Sequence, residues 1–411
     1  MTYPTIMPAI TLDFANSKRL DNRINFSRST AGTYRDSDGL IKTAPANVAR
    51  FDHDENGRCL GLLIEPSRTN SIQYSEDFSA ATGYWSNPSP SVTFTTGQES
   101  PDGNNTGTLF TGEGNVQRAS VTTNTNTSHN NPDPAIFTVF AKLTDTVETN
   151  IRLELSASSG SSYRIIFNLS TGTVVSNDGS DANVTAAKIT PYLNGWYRCQ
   201  VKGSIPKNDS ASVFIKNYAD SIFWGAQLEL TNRQNWASAY IQNAGTVGGV
   251  NRGADVVYVY DFGDSFNGIS GALVTKYLPP GGNQYGSPSG LGRAGSGRPT
   301  ISHVSGTSLD GVLSAKIGGN AGSKTNPNGI DVPDIACLSF TPGDSAYAIN
   351  YSSLGTTTND NWINHVDNIE SYLKLSQTTG NFSAINSMHL MRVSVYPERV
   401  SNPSVQILSR A

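Results

Sequence analysis

Residues 136–143 read IFTVFAKL, and apolar side chains occupy every second position from Phe137 onward. Phe137, Val139 and Ala141 would share one face of an extended strand, because successive side chains of a strand point to opposite faces. The same alternation recurs in YRIIFNL (163–169). A period of two is typical of half-buried antiparallel strands, so this part of the chain predicts a sheet-based fold.

Working outward from this stretch, strand-like runs continue on both sides. Asn194-Gly195 separates two of them, and this dipeptide is a strong hairpin signal. Roughly eight or nine strands at this spacing predict a β-jelly roll over residues 76–258. Trp196 and Trp224 lie inside strand patterns, which favours structural core positions. In SIFWGAQLEL, the residues predicted to share one face are Ile222, Trp224, Ala226, Leu228 and Leu230.

The flanking regions also predict short strands. Residues 1–75 contain hairpin patterns that turn on Asp-Gly or Asn-Gly, and we treat them as an N-terminal signature region. The alternative is that ITLDF (10–14) pairs into the C-terminal domain, which would make that domain discontinuous. Residues 259–411 predict a second β-sandwich, with a short terminal helix that Ser401 would cap. Within it, the glycine- and proline-rich residues 277–299 predict a long exposed loop. The predicted fold class is therefore all-β, built from antiparallel sandwiches.

Composition excludes several classes of function. The net charge is −4 and no Lys/Arg cluster occurs, so binding of nucleic acid through its phosphates is not expected. No stretch approaches ~18 apolar residues and no leader-like start is present, so no membrane insertion or export is expected. The three cysteines, which form no CxxC pair, predict buried hydrophobic positions rather than disulfides or a zinc site. No cofactor is indicated.

Catalytic and metal motifs are weak. The five histidines form no HExxH or HxH motif, and no G-x-S-x-G elbow is present, so we predict that the protein is not an enzyme. Two carboxylates could still converge in space, which a sequence does not reveal. Asp52, Asp54 and Asn56 match the first half of a calcium loop. The twelfth position is Leu63 instead of glutamate, so a hairpin turn is the better interpretation and no metal is predicted.

The stretch CLGLLIEPSRTN (59–70) raises the question of whether Glu65 is a catalytic or a structural acid. No partner for acid–base chemistry is evident in its neighbourhood. Pro66 would end a buried strand, and Arg68 is close enough to pair with Glu65 or with backbone carbonyls. We therefore predict structural roles for Glu65 and Arg68.

Aromatic residues outside strand patterns are the candidates for glycan binding. Sugar rings bury an apolar face against exposed aromatic rings while their hydroxyls find polar partners. The candidates are Trp85, Trp236, Tyr285 and Trp362, which lie in polar or glycine-rich surroundings.

Three groups of motifs resemble a widespread set of phage virion structural proteins of the tail-fibre, tailspike or head-fibre type. The first runs from INFSRSTAGTYRDSDGLIKTAPANVARFDHD to GLLIEPSRTN and YSEDFS. The second resembles a carbohydrate-binding-module jelly roll and includes PDGNNTGTL, LNGWYRCQV, FWGAQLEL, ASAYIQN and NRGADV. The third, MRVSVYPERVSNPSVQIL, resembles the end of laminin-G or concanavalin-like sandwiches.

The resemblance implies a virion component on the phage particle surface, made in the host cytoplasm. It implies a homotrimer with other virion proteins as partners, and a host cell-surface polysaccharide as ligand. A tail fibre or spike adhesin is the first hypothesis. The alternatives are a capsid head fibre or decoration protein with secondary glycan contact and, third, a polysaccharide depolymerase, which would lack the usual run of β-helix repeats.

Overall fold

The computed structural model describes most of the chain. The described residues are 3–79, 84–86, 91–122, 133–144, 148–177, 186–206, 209–230, 236–259, 270–278, 285–291, 300–305, 311–317, 320–325, 332–357, 373–377 and 387–410. Strands dominate these residues, and the strand pairings are antiparallel, so the predicted all-β class is confirmed.

The N-terminal region contains seven short strands and one helical turn. The hairpins turn on Asp/Asn-Gly as predicted: Asp36 Oδ1 accepts the backbone N–H of Leu40 at 2.9 Å, and Gly39 and Gly57 have positive φ angles. The elements are β1 (Ile10–Asp13), α1 (Phe14–Ser17), β2 (Ile24–Ser27), β3 (Gly32–Arg35), β4 (Ile41–Ala44), β5 (Phe51–His53), β6 (Cys59–Ile64) and β7 (Arg68–Asn70).

The middle of the chain is a β-sandwich of jelly-roll character. Its strands are β8 (Thr93–Gln98), β9 (Gly107–Thr111), β10 (Gly114–Thr122), β11 (Asp133–Leu143), β12 (Asn150–Ala157), β13 (Ser162–Asn168), β14 (Thr173–Asn177), β15 (Ala186–Pro191), β16 (Trp196–Ile205), β17 (Ser210–Asn217) and β18 (Ser221–Leu230). Two short strands follow, β19 (Val250–Arg252) and β20 (Val256–Val259).

Two sheets make this sandwich. The five-stranded sheet has the order β10-β17-β12-β13-β14, and the six-stranded sheet has the order β15-β16-β11-β18-β9-β8. Their inner faces enclose one large apolar core, to which β11 contributes Phe137, Val139 and Ala141. The predicted Asn194-Gly195 turn joins β15 to β16, with both residues at positive φ.

One prediction within this sandwich is wrong. Ile222 and Trp224 do not share a face with Ala226 and Leu228, because β18 is irregular at Gly225, where φ is +66°. Ala226 and Leu228 enter the core between the sheets, whereas Ile222 and Trp224 pack in a separate cluster on the outer face. A β-bulge adds one residue to a strand, so every side chain beyond it changes face.

Strand β11 is also more buried than a period of two predicts. Phe140 lies on the outer face of the six-stranded sheet and yet is 0% exposed. It belongs to the outer cluster, which Ile41 of β4 and Tyr240 complete from other parts of the chain. The outer face of this sheet is therefore covered around Phe140 and Trp224, where β11 and β18 are buried on both sides.

The remaining elements form a second sandwich. They are β21 (Gly271–Leu278), β22 (Tyr285–Leu291), β23 (Thr300–Ser305), β24 (Gly311–Ile317), β25 (Asn320–Thr325), β26 (Asp334–Thr341), β27 (Asp344–Ile349), β28 (Gly355–Thr357), β29 (Leu373–Gln377), β30 (Met388–Tyr396) and α2 (Asn402–Leu408). Because β22 occupies Tyr285–Leu291, the prediction of a continuous loop over 277–299 is wrong. Ser401 occupies the N-cap position of α2 as predicted, but its side chain makes no capping hydrogen bond.

Strands from the first 75 residues complete both sheets of this sandwich. In one sheet β1 and β6 both pair with β30, and in the other β2 pairs with β20. Leu12, Leu62 and Ile64 join its apolar core. Strands of the N-terminal region thus belong to the sheets of the last sandwich. The domain boundaries at residues 75 and 258 stay a prediction.

Among the described residues, no helix is long and apolar enough to span a membrane. The three cysteines are buried with free thiols. Burial raises the pKa of the Cys199 thiol above its ordinary range, which keeps the thiol neutral.

Candidate functional site

A cleft of about 490 Å³ lies where three parts of the chain meet. Its volume falls in the range of roughly 300–1,000 Å³ that is typical of small-ligand sites. Side chains from the N-terminal hairpins, the jelly roll and the start of β30 form its walls. They include Thr33, Arg35, Asp52, Asp54, Lys188, Tyr192, Trp236, Tyr240 and His389.

One wall is an extended segment, residues 236–241, that we call the strap. It has no strand partner in the usual sense and runs over the outer face of the six-stranded sheet. Tyr240 anchors it, with its ring 4.5 Å from that of Trp224 and its hydroxyl 2.7 Å from Ser75 Oγ. Trp236 begins the strap at the mouth of the cleft.

Buried side chains take the place of a neighbouring strand by accepting the backbone N–H groups of the strap. Each acceptor is at most 5% exposed, so each bond forms away from water and in one orientation. The pairs are Ala237 N to Gln200 Oε1 (2.8 Å), Ser238 N to Glu229 Oε1 (2.9 Å), Ala239 N to Glu65 Oε1 (2.8 Å) and Ile241 N to Gln227 Oε1 (2.6 Å).

Glu65 connects the strap to a buried ionic cluster. Its second oxygen, Oε2, accepts hydrogen bonds from Arg50 Nη1 at 2.7 Å and from Arg252 Nη1. Arg50 Nη2 also donates to Asp255 Oδ2 at 2.6 Å, and Arg28 Nη1 donates to Asp255 Oδ1 at 3.1 Å. All five side chains are at most 2% exposed. Glu65 therefore acts in the architecture, as a partner of arginines and of the strap.

Arg68 does not reach Glu65. Its Nη1 donates to the backbone carbonyl of Ser67 at 2.9 Å, and its Nε lies 3.5 Å from Glu229 Oε2. The carbonyl contact was one of the two alternatives predicted for this side chain. The arginine partners of Glu65 come instead from distant positions, 50 and 252, because the chain folds back on itself there.

The ionic cluster holds three guanidinium groups and two carboxylates, so it carries excess positive charge. Burial, followed by the positive charge of Arg50, lowers the pKa of Arg252 well below its ordinary range. The same two causes, in the same order, lower the pKa of Arg28. Gly32 lets the arginines approach, since a Cβ there would lie 3.1 Å from Arg28 Nε and 3.2 Å from Arg50 Nη1.

The opposite wall of the cleft carries an acid–histidine pair. Asp52 Oδ2 lies 2.9 Å from His389 Nε2, and Asp52 Oδ1 accepts the backbone N–H of Arg35 at 2.6 Å. Burial alone would raise the pKa of Asp52, but the hydrogen bonds and charges of His389 and Arg35 together outweigh it, and the pKa lies below its ordinary value. This pair joins β5 to β30 at the cleft.

The candidate calcium residues do not converge on a shared point. Asp54 Oδ1 accepts the backbone N–H groups of Asn56 and Arg58, which is a turn-stabilising arrangement. Asp52 is engaged with His389 and Arg35 as described above. Among the described residues, no group of three or more His, Cys, Asp or Glu side chains is placed to hold a metal ion.

The four predicted stacking aromatics differ in where they lie. Trp236 is partly exposed and lines the cleft, with Lys188 Nζ 5.2 Å from its ring. The prediction for Trp85 is wrong: it is 1% exposed, its ring packs 4.9 Å from Phe78, and its Nε1 donates to the Tyr74 carbonyl. The side chain of Tyr285 and the whole of Trp362 lie outside the described residues.

Trp196 and Trp224 are both 1% exposed and belong to the outer apolar cluster. Sequence reasoning missed the residues that hold the strap, namely Gln200, Gln227 and Glu229. A signal was present, because these polar residues alternate with core residues in RCQV and GAQLEL. Alternation alone reads as a solvent-facing side, and only the covering strap shows that the side is buried.

No protein-family model matches the chain, and no curated protein matches it in sequence. Three similar solved structures are the CBM40 of the Ruminococcus gnavus IT-sialidase, the leech intramolecular trans-sialidase and the Trypanosoma rangeli sialidase. For the first, the TM-score is 0.27 at 13% identity over 34% of this chain and 83% of that chain. For the leech enzyme, the TM-score is 0.28 at 14% identity over 34% of this chain and 23% of that chain. For the Trypanosoma rangeli sialidase, the TM-score is 0.25 at 11% identity over 62% of this chain and 51% of that chain.

The prediction that the protein is not an enzyme is contradicted by these matches, because sialidases and a trans-sialidase are among the similar structures. We therefore withdraw that prediction. All three TM-scores are below 0.5, so the matches assign neither an activity nor a ligand to this chain. Arguments about function rest on the cleft itself.

Proposed function

We propose that the cleft binds a glycan and that the protein is an adhesin of a phage particle, of the tail-fibre or spike type. The observation that carries the glycan proposal is the strap, whose backbone is held by four buried acceptors and which presents Trp236 at the cleft. An aromatic ring on a preorganised backbone loses little conformational entropy when a sugar ring stacks on it.

The polar lining supports the same proposal. The Asp52–His389 pair, Asp54, Lys188 and Thr190 line the same cleft as Trp236. Such a mixture of one apolar platform and several hydrogen-bonding groups suits a molecule with an apolar ring face and a rim of hydroxyls. Shallow sites of this kind reach useful strength when many copies act together on one particle.

A binding assay on immobilised bacterial surface polysaccharides tests the glycan proposal. The Trp236→Ala variant is expected to bind roughly tenfold more weakly or worse, because an aromatic anchor is removed. Tyr3→Ala removes an aromatic side chain that is 70% exposed and distant in sequence from the cleft residues, and serves as the matched control. Equal binding by Trp236→Ala and the unaltered protein would contradict the proposal.

The phage role rests on the motif resemblance alone. It carries with it the proposals of a particle-surface location, association with other virion proteins and a homotrimer. Mass measurement in solution tests the trimer, and electron microscopy of the intact particle with a labelled protein tests the location. Label on the tail supports the adhesin, whereas label on the capsid would replace it with a head fibre.

The same polysaccharide incubations also reveal chemistry. Release of shortened oligosaccharides, detected by size-exclusion chromatography, would identify a depolymerase, the third alternative. A polysaccharide that keeps its length would count against that alternative.

A further inference from the structure

The jelly roll has a second polar surface on the side opposite the cleft. On β12, Ile151, Leu153 and Leu155 enter the core, so Arg152 and Glu154 lie on the outer face of the five-stranded sheet. This face is formed by β17, β12 and β13, and we call it the basic face. It is separated from the cleft by the whole thickness of the sandwich.

Strand register arranges the basic face in rows. One row places Lys216, Arg152 and Ile166 side by side, and the next places Phe214, Glu154 and Arg164 side by side. A third row holds Ser212, Ser156 and Ser162. The face thus combines three cations, one carboxylate, an aromatic ring and hydroxyl groups.

Two cations stand directly opposite each other in the first row. Like charges at facing positions of neighbouring strands destabilise a sheet, so this placement needs a compensating anion. Glu154 supplies part of it, because its Oε2 lies 3.3 Å from Arg152 Nη2 and 3.1 Å from Arg164 Nε. Both serine hydroxyls of Ser156 and Ser162 donate to its Oε1 at 2.8 Å.

Glu154 does not neutralise the face. Lys216 lies 4.0 Å from Glu113, whose side chain is 67% exposed, and such a pair contributes little in water. Lys216 Nζ otherwise lies 4.3 Å from the ring of Tyr218. Arg164 has a side chain that is 37% exposed. Among the described side chains of this face and its edge, three cations thus stand beside two carboxylates, Glu154 and Glu113, on a protein whose net charge is −4.

We propose that the basic face binds an acidic polysaccharide through its carboxylate groups. Guanidinium groups match carboxylates in geometry, and Lys216 adds a further positive charge beside Arg152 and Arg164. The neighbouring Glu154 limits the local excess of positive charge, which favours singly charged groups over phosphate. This inference is independent of the cleft, since no residue of the cleft belongs to the basic face.

The test measures binding of alginate, a polysaccharide of uronic acids, to the full chain by isothermal titration at low salt and at 0.5 M NaCl. Dextran is the neutral comparison, and dextran that carries phosphate monoesters, each close to doubly charged at pH 7, is the phosphate comparison. We expect alginate to bind at low salt, to weaken at high salt, and to bind better than either comparison. Equal binding of phosphorylated dextran or of dextran would overturn the inference.

A double variant, Arg164→Gln with Lys216→Gln, is expected to weaken alginate binding roughly tenfold, because two exposed charge contacts are removed. The matched control, Arg23→Gln, removes a cation of similar exposure in a surface pair with Asp21 and is expected to bind alginate normally. Equal losses in both variants would overturn the inference. Trp236→Ala should leave alginate binding unchanged, which separates this surface from the cleft.

Discussion

The interior of the jelly roll and the layer beneath the strap are buried to the same degree, but the first consists of apolar side chains and the second of polar or charged ones. The interior is packed with apolar side chains, such as Phe137 and Leu153, that are 0% exposed. The layer beneath the strap contains Glu65, Glu229 and Gln227, which are at most 2% exposed. The first region stabilises the fold through area removed from water, which has no direction.

The layer beneath the strap acts through hydrogen bonds, whose strength depends on their direction. A hydrogen bond that a buried carboxylate accepts is strong only in a narrow range of geometries, and burying charge costs free energy that ion pairing only offsets. The layer under the strap is therefore better suited to fixing the position of the strap than to adding stability. The apolar interior therefore supplies net stability, whereas the layer beneath the strap fixes the cleft wall and adds little net stability, although breaking one of its ion pairs is costly.

The largest expected effect is on the ionic side. Glu65→Gln leaves Arg252 buried without its carboxylate and Arg50 with Asp255 alone, so we expect a loss of about 3–5 kcal/mol in the free energy of unfolding. Urea titration followed by tryptophan fluorescence measures it. Glu113→Gln is the control, because that side chain is 67% exposed. A variant that keeps both full stability and full glycan binding would break the proposed division between the regions.

Leu153→Ala perturbs the apolar side by opening a cavity between the sheets. Its expected cost is about 2–4 kcal/mol, the range typical of large-to-small core substitutions. At temperatures where this variant stays folded, glycan binding in the cleft should be unchanged, because the strap and its acceptors are intact. Loss of binding in the folded variant would show that the two regions are not separable.

Gly225→Ala acts at the bulge that divides β18 between the two regions. At φ +66° a side chain is strained, and a Cβ would lie 3.0 Å from Phe140 Cδ2, so we expect a cost of about 2–3 kcal/mol. Thermal unfolding by circular dichroism measures it. Gly97→Ala is a control at a similar φ of +80°, where a Cβ has no neighbour within 4 Å. Equal costs would mean that backbone strain, not packing against Phe140, is responsible.

Asp334 tests what a buried acid does in the last sandwich. Burial raises its pKa from 3.8 to about 6, against the opposing hydrogen bond from Asn350 Nδ2 at 2.6 Å. The folded state therefore holds the proton more tightly than the unfolded state, and stability falls as pH rises from about 4 through about 6. The free energy of unfolding of Asp334→Asn should exceed that of the unaltered protein by about 2 kcal/mol at pH 7 and should equal it at pH 3.5.

Unfolding titrations of this variant and the unaltered protein across pH 3.5–8 check the sign. The two curves should diverge with rising pH and become parallel above pH 7. A constant difference at all pH values would mean that Asp334 does not titrate in this window.

Much of the fold was predictable because its signals are local. Alternation in IFTVFAKL and YRIIFNL and the turn at Asn194-Gly195 depend on residues near one another, and all lie in the predicted strands and hairpin. The candidate site was harder to predict. Of its aromatics Trp236 was named, but Trp85, similar in its local surroundings, is packed against Phe78 in the core. Polarity of the neighbouring sequence does not tell the two apart.

The sequence by itself determined the all-β class, the hairpin turns and the polar character of positions such as Glu65 and Gln227. Backbone preference and side-chain polarity belong to each residue and its neighbours, so they can be predicted from the sequence without knowledge of the fold. Only the tertiary structure decided that Arg50, Arg252 and Glu65 meet, and that the strap covers one face of the sheet. Those contacts join residues up to 187 positions apart, and chain closure over such distances depends on the fold as a whole.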